Sequence, residues 1–220
     1  MALHTIPVRK FNPYEQIGTV HNDAITYFAK NAPADYTMND VLRLSCTSVL
    51  DSLKGKDEYD DLDLLNLEGV AGCAFNTMFL PDNASDSNFI PINVEAIIKA
   101  NHFNELQAMF TRVLLSPSTS LELADYKSVV INIEGHVLKS ELSCSEQFPL
   151  LAATAVGKAT VDYWVKELKD PKSPWTQPVA LKKWWKYVLA DAAGALAGAA
   201  GGPLGAAGGA AGATILYALD

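Results

Sequence analysis

Four histidines are the residues best placed by type to do acid–base or metal chemistry: His4, His21, His102 and His136. An imidazole titrates close to neutral pH and ligates metals through either nitrogen. None of the four sits in an HExxH, an HxH or a Cys/His cluster. The pattern with most promise joins His21 and Asn22 on a first predicted helix to His102 and Glu105 on a fourth. If those helices packed together, the four residues would make a polar site able to move a proton or hold a cation. The competing reading is that each histidine is hydrogen-bonded to a neighbour at a helix interface. No GxSxG, Walker loop or GxGxxG is present. The acidic run Asp57, Glu58, Asp60, Asp61 and Asp63 lacks the alternating spacing and the glycine of a calcium loop. It reads as a solvated loop before a helix. Cys46, Cys73 and Cys144 are odd in number and far apart, which excludes a disulfide framework and a CxxC zinc site. The sequence therefore implies no metal, no cofactor and no catalytic residues, and leaves an enzyme open without support.

A second kind of chemistry is interfacial. Lys182, Lys183, Trp184, Trp185, Lys186 and Tyr187 interleave cations with the aromatic types that settle at lipid head groups. The same run also reads as an amphipathic helix with its tryptophans in a core and its lysines in water. Directly after it, Ala192 to Leu219 form 28 residues without a charge, bounded by Asp191 and Asp220; eight are Gly and twelve are Ala. Gly194, Gly198 and Gly202 recur every four residues, and so do Gly201, Gly205 and Gly209. Four-residue spacing places them on one side of a helix and allows a second backbone to approach closely. In water each Gly costs a helix about 0.8–1.0 kcal/mol against Ala, so a membrane, a partner helix or the body of the protein must compensate. One continuous helix would rise about 42 Å, more than the ~30 Å of a hydrocarbon core. Gly201-Gly202-Pro203 interrupts it. The stretch is thus a kinked span, a shallow hairpin in a membrane, or a hairpin packed in a bundle.

The remainder must position these features. Asn12 with Pro13 and Glu15 reads as the start of a helix to about Lys30. Thr37 with Asp40 opens a second, to Gly55. Leu64–Leu80, Asn93–Leu115, Glu122–Lys139 and Ser145–Lys169 carry the apolar stripes of four more. Small residues at 69–74 and 152–159 are fit to receive a close neighbour. Pro171, Pro174 and Pro178 break the chain. The fold class is all-α: a bundle of about six helices with a Gly/Ala-rich C-terminal helical hairpin or kinked helix. Its divisions are a helical body over 1–170, a Pro-rich linker over 171–178, and a basic-aromatic helix with glycine tail over 179–220.

The run Asn12-Pro13-Tyr14-Glu15-Gln16-Ile17-Gly18-Thr19-Val20-His21-Asn22 resembles an N-terminal NPYxxIGxxHN signature of uncharacterised bacterial proteins. The tail is similar to the glycine-zipper segments of class II bacteriocin-like peptides, although this chain is far larger and has no short leader ending in Gly-Gly. The second likeness implies a membrane-active toxin, effector or bacteriocin-like protein whose body keeps the tail soluble. The alternatives are a non-catalytic helical interaction or structural protein with the tail in its own core, and an enzyme using His21, His102 or His136. The expected partners are a membrane or a second copy through the tail, and a carrier or immunity protein. The net charge of −8 speaks against nucleic acid. The start of the sequence has no apolar h-region, so synthesis in the cytoplasm and export by a specialised route are expected.

Overall fold

The computed structural model describes residues 11–33, 35–53, 63–78, 92–116, 123–167, 169–173, 175 and 184–219. Among the described residues the protein is all-α. In chain order the helices are α1 (Glu15–Asn31), α2 (Met38–Leu53), α3 (Leu64–Met78), α4 (Val94–Ala100), α5 (Glu105–Leu115), α6 (Leu123–Lys139), α7 (Cys144–Glu167), α8 (Trp184–Gly198) and α9 (Gly202–Leu219). A 3₁₀ turn, Ala199–Gly201, joins the last two.

Local sequence explains most of the boundaries. Thr37 and Asp40 cap α2 reciprocally: the Asp40 amide donates to the Thr37 hydroxyl, and the Thr37 amide to the Asp40 carboxylate at 2.9 Å. The Asn93 side chain accepts from the Ala96 amide and starts α4. Two expectations need correction. The helix expected over 93–115 is two helices. At the break, His102 takes φ +52° and Asn104 forms a full capping box with Gln107, which opens a new helix. Asn12 does not cap α1, whose N-cap is Tyr14 with no side-chain hydrogen bond. Asn12 instead turns inward, as described below. The acidic run 57–61 lies outside the described residues.

The core is one hydrophobic cluster running from Ile17 to Ile215. Helices α8 and α9 lie antiparallel within it, with α1, α2, α3 and α7 packed around them. Every residue from Lys186 to Leu196 and from Leu204 to Ile215 is buried. The stretch 171–178 is fastened to α7 where it is described. The Ser173 hydroxyl donates to Glu167 at 2.7 Å, and the Trp175 indole donates to the Tyr163 hydroxyl at 3.0 Å. The described part of 179–220 thus shares its core with α1–α7.

Candidate functional site

Two arrangements stand out at the centre of the molecule. The first is a glycine seam between α8 and α9. A Cβ on Gly198 would fall on the Gly205 carbonyl, and one on Gly194 would fall on the Gly209 carbonyl. The reverse also holds: a Cβ on Gly209 would stand 2.5 Å from the Gly194 oxygen. The two pairs are in antiparallel register about the turn. Gly202, which shares the four-residue spacing, is not part of the seam: a Cβ there would meet nothing within 4 Å. Its φ of +70° makes it the turn residue, because L side chains disfavour that region. Gly201 and Gly205 face Val70 of α3, whose Cγ1 would lie 2.5 Å and 3.0 Å from the added Cβ atoms.

The second is a buried polar pair across the hairpin. His21 of α1 and Asp191 of α8 are both 0% exposed, with the imidazole Nε2 3.3 Å from the Asp191 Oδ1. The same Nε2 lies 3.4 Å from the Thr214 hydroxyl of α9, and Nδ1 lies 3.0 Å from the Asn22 side-chain oxygen. Burial raises the Asp191 carboxyl above its ordinary range, against the opposing pull of His21, Thr160 and Trp164. Thr160 and the Trp164 indole are themselves buried without a well-formed hydrogen bond, and both carboxyl oxygens of Asp191 lack one. The Asp191 charge also reaches the phenols of Tyr126 and Tyr163. Both are raised, chiefly by burial, Tyr163 to about 12.

This pair is not laid out as a nucleophile triad. There a carboxylate holds one imidazole nitrogen while the other faces the hydroxyl. Here Asp191 and Thr214 approach the same nitrogen, and neither ring nor carboxylate meets solvent.

Further polar residues line the contact of α1, and of the residues leading into it, with α6 and α7. Buried Asn12 donates to the Glu134 carboxylate at 2.7 Å and to the Leu151 carbonyl at 2.8 Å, while its oxygen accepts from the Tyr14 amide. Asn22 donates to the Ala159 carbonyl at 3.0 Å. Lys158 bridges Glu15 and Glu134. Between these contacts, Gly18 lets α1 lie on α7: an added Cβ would stand 2.5 Å from the Ala155 oxygen and 2.6 Å from the Ala159 Cβ. The small patch 152–159 therefore receives α1 at its closest point. Gly69, in the other small patch, has nothing within 4 Å of an added Cβ.

The polar site expected from His21, Asn22, His102 and Glu105 does not assemble. His21 is enclosed by α7, α8 and α9, whereas His102 and Glu105 are exposed at the α4–α5 corner. His102 lines a shallow pocket there with Asn76, Thr77, Asn93, Ala96 and Lys99. The physical reason is the packing of α1, which lies on α2, α7 and α9. His136 is exposed on α6. Among the described residues no group of three or more His, Cys, Asp or Glu could hold a metal.

Of the interfacial run, Lys182 and Lys183 lie outside the described residues. Trp184 and Trp185 begin α8. Lys186 and Tyr187 are buried, each 9% exposed, and the Tyr187 ring stacks on Trp164 with centroids 4.7 Å apart. These two residues therefore do not present themselves to a lipid surface in this conformation. The residue that sequence reasoning passed over is Asp191. Its signal was its position, one carboxylate a helical turn after Tyr187 and just before the uncharged stretch. Comparison with protein-family models, with curated proteins and with solved structures finds no match.

Proposed function

We propose that the chain is a helical sheath for a membrane-active hairpin, a toxin, effector or bacteriocin-like protein whose α8–α9 unit leaves the core for a lipid surface. One observation supports this reading above the others. The least polar of the described helices, α8 and α9, Gly- and Ala-rich from Ala192 to Ala213, lie innermost and are enclosed by helices with polar outer faces. Such a hairpin cannot stand alone in water, since its glycines disfavour the isolated helix and its faces are apolar. Packed backbone to backbone, it is a unit that can exchange one apolar surrounding for another while keeping its internal contacts. No described helix is long and apolar enough to cross a membrane. Its 18 residues give α9 a rise of about 27 Å. A shallow or assembled mode of insertion suits those lengths better than a lone span.

In this reading Lys182, Lys183, Trp184, Trp185, Lys186 and Tyr187 form the entry segment once α8 leaves the core, with anionic head groups as first partner. Self-association would reuse Gly194, Gly198, Gly205 and Gly209. A carrier or immunity protein would cover the hairpin before delivery, and export would follow a specialised route.

The test is dye release from vesicles of mixed anionic and neutral phospholipid, with intact protein and with a peptide of residues 180–220. Release from anionic vesicles is expected, together with thiol labelling of Cys46. That cysteine is buried on α2, with its Sγ 3.6 Å from where a Cβ of Gly208 in α9 would sit. Neither dye release nor vesicle binding by either species would overturn the proposal.

A second reading is a non-catalytic interaction or structural protein in which the hairpin stays put. Its favouring observation is that the glycine seam is already filled within the chain, by Gly194 against Gly209 and Gly198 against Gly205. An intact protein whose α8–α9 amides keep their protection from exchange on vesicles would favour it.

A further inference from the structure

The glycine seam holds α8 to α9, but it does not hold the pair to the rest of the protein. Apolar packing of α1, α2, α3 and α7 surrounds the pair, and a polar contact joins it to α1 at one place. Asp191 is the one residue between Tyr187 and Leu219 that carries a charge in water at neutral pH. It faces His21 across the α1–α8 contact at 3.3 Å, with both side chains shut off from water. Among the described residues, His21 is the cation-forming group that acts on the carboxylate. From α7 the neutral Thr160 and Trp164 act on it, the phenols of Tyr163 on α7 and Tyr126 on α6 feel its charge, and from α9 the hydroxyl of Thr214 lies on the same imidazole nitrogen. The charged groups of the other helices packed on α8 lie on exposed or half-buried positions: Glu68 on α3, Glu95 and Lys99 on α4, Glu105 and Arg112 on α5. On α8 itself, Lys186 stands five residues before Asp191.

We infer that His21 and Asp191 form a one-proton catch that fastens α1 to the buried hairpin and holds it most firmly while the pair carries a single proton between its two members. With one proton the pair is neutral overall, whether written as imidazolium with carboxylate or as imidazole with carboxylic acid. Removing that proton leaves a bare carboxylate beside Thr160 and Trp164, in a site shut off from water. Adding a second leaves a bare imidazolium in the same enclosure. Either uncompensated charge is costly where no water reaches it.

The direction with pH follows from proton counting. With the hairpin detached, an exposed carboxyl loses its proton near pH 3.9 and an exposed imidazole near 6.5. Above about pH 6.5 the open form therefore holds no proton while the fastened pair still holds one, so fastening weakens as pH rises. That agrees in sign with the raised Asp191 carboxyl: a group whose folded value is raised gives stability that is lost as pH climbs through that value. Below about pH 3.9 the open form holds two protons against one, and fastening weakens again. Between those limits the two forms hold equal numbers and the catch is insensitive to pH.

The catch can be tested without any membrane, so its failure is separate from failure of the sheath proposal. Urea unfolding of the full chain is followed from pH 4 to pH 9, beside Asp191→Asn and the double variant His21→Gln/Asp191→Asn. For the wild type the folded-to-unfolded ratio should fall by up to about tenfold per pH unit above pH 6.5, relative to the double variant. Parallel profiles for the two proteins would overturn the inference. Should the variants not fold, nuclear magnetic resonance on the wild type decides. The imidazole nitrogens of His21 and the carboxyl carbon of Asp191 should report one shared titration. Independent titrations, with Asp191 in the ordinary carboxylate range, would overturn it equally.

Discussion

The hairpin α8–α9 and the helix α1 are both held inside the same core, by different sets of contacts. The hairpin is closed on itself by absent side chains: Gly194 lies against Gly209 and Gly198 against Gly205, where no Cβ fits. Helix α1 and the residues leading into it add to the close approach of Gly18 on α7 a set of side chains that are present and polar: Asn12 on Leu151 and Glu134, Asn22 on Ala159, His21 on Asp191. The first kind of contact is steric and indifferent to pH. The second depends on donor, acceptor and charge, and each member can be removed singly. The contrast suggests a molecule with a durable inner unit and a conditional outer fastening, which is the combination a releasable hairpin requires.

The strongest way to break this contrast is to leave Asp191 buried without its partner. His21→Leu should destabilise the protein by about 3–5 kcal/mol at neutral pH, as measured by urea unfolding, because an uncompensated carboxylate stays in the core. Replacing both residues by leucine should recover most of that loss, since a well-packed apolar pair is often neutral or better than a buried ion pair. A double variant as damaged as the single would mean that the contact is ordinary packing and that the polar fastening of α1 carries no special weight.

Next comes the seam. Gly198→Ala adds one methyl group, yet its Cβ would meet the Gly205 carbonyl, which is backbone and cannot rotate away. A loss of about 2–3 kcal/mol is expected, despite the gain in helix propensity from Gly to Ala. The effect should be the same at pH 5 and pH 8, in contrast to any variant of the His21–Asp191 pair. Gly202→Ala tests the turn instead. There the space is open, and only the backbone, at φ +70° and ψ −162°, resists a side chain, so a cost of about 1–3 kcal/mol is expected in thermal unfolding.

These particulars also mark what could be read in advance. The seam was legible as spacing, because residues four apart share a helix face whatever they pack against. The role of Gly202 was not, since periodicity cannot tell a seam glycine from a turn glycine four residues after Gly198. The split of α4 from α5 had a visible signal in Asn104 and Gln107, three apart as in a capping box, which the apolar stripe across 93–115 masked. His21 was visible as a candidate but was given the wrong partners. Which helix α1 packs on is decided by long-range contacts such as Gly18 on Ala155, and no local pattern encodes them. Asp191 was read as the edge of an apolar run, because a carboxylate usually marks where burial ends.

The smallest effect separates geometry from composition. Gly69 and Gly135 lie within helices α3 and α6, and an added Cβ at either would touch nothing within 4 Å. Their φ values are not positive, so alanine fits both without strain. Gly69→Ala and Gly135→Ala should each raise stability by about 0.8–1.0 kcal/mol, through the lower entropy of the unfolded chain and better helix propensity. The same chemical change at Gly198 should act in the opposite direction. If all three substitutions shifted the melting temperature alike, the α8–α9 glycines would be a matter of composition, and the steric half of the contrast with α1 would fall. If they diverge in sign, one methyl group distinguishes a glycine that makes room for another helix from one that merely occupies a helix.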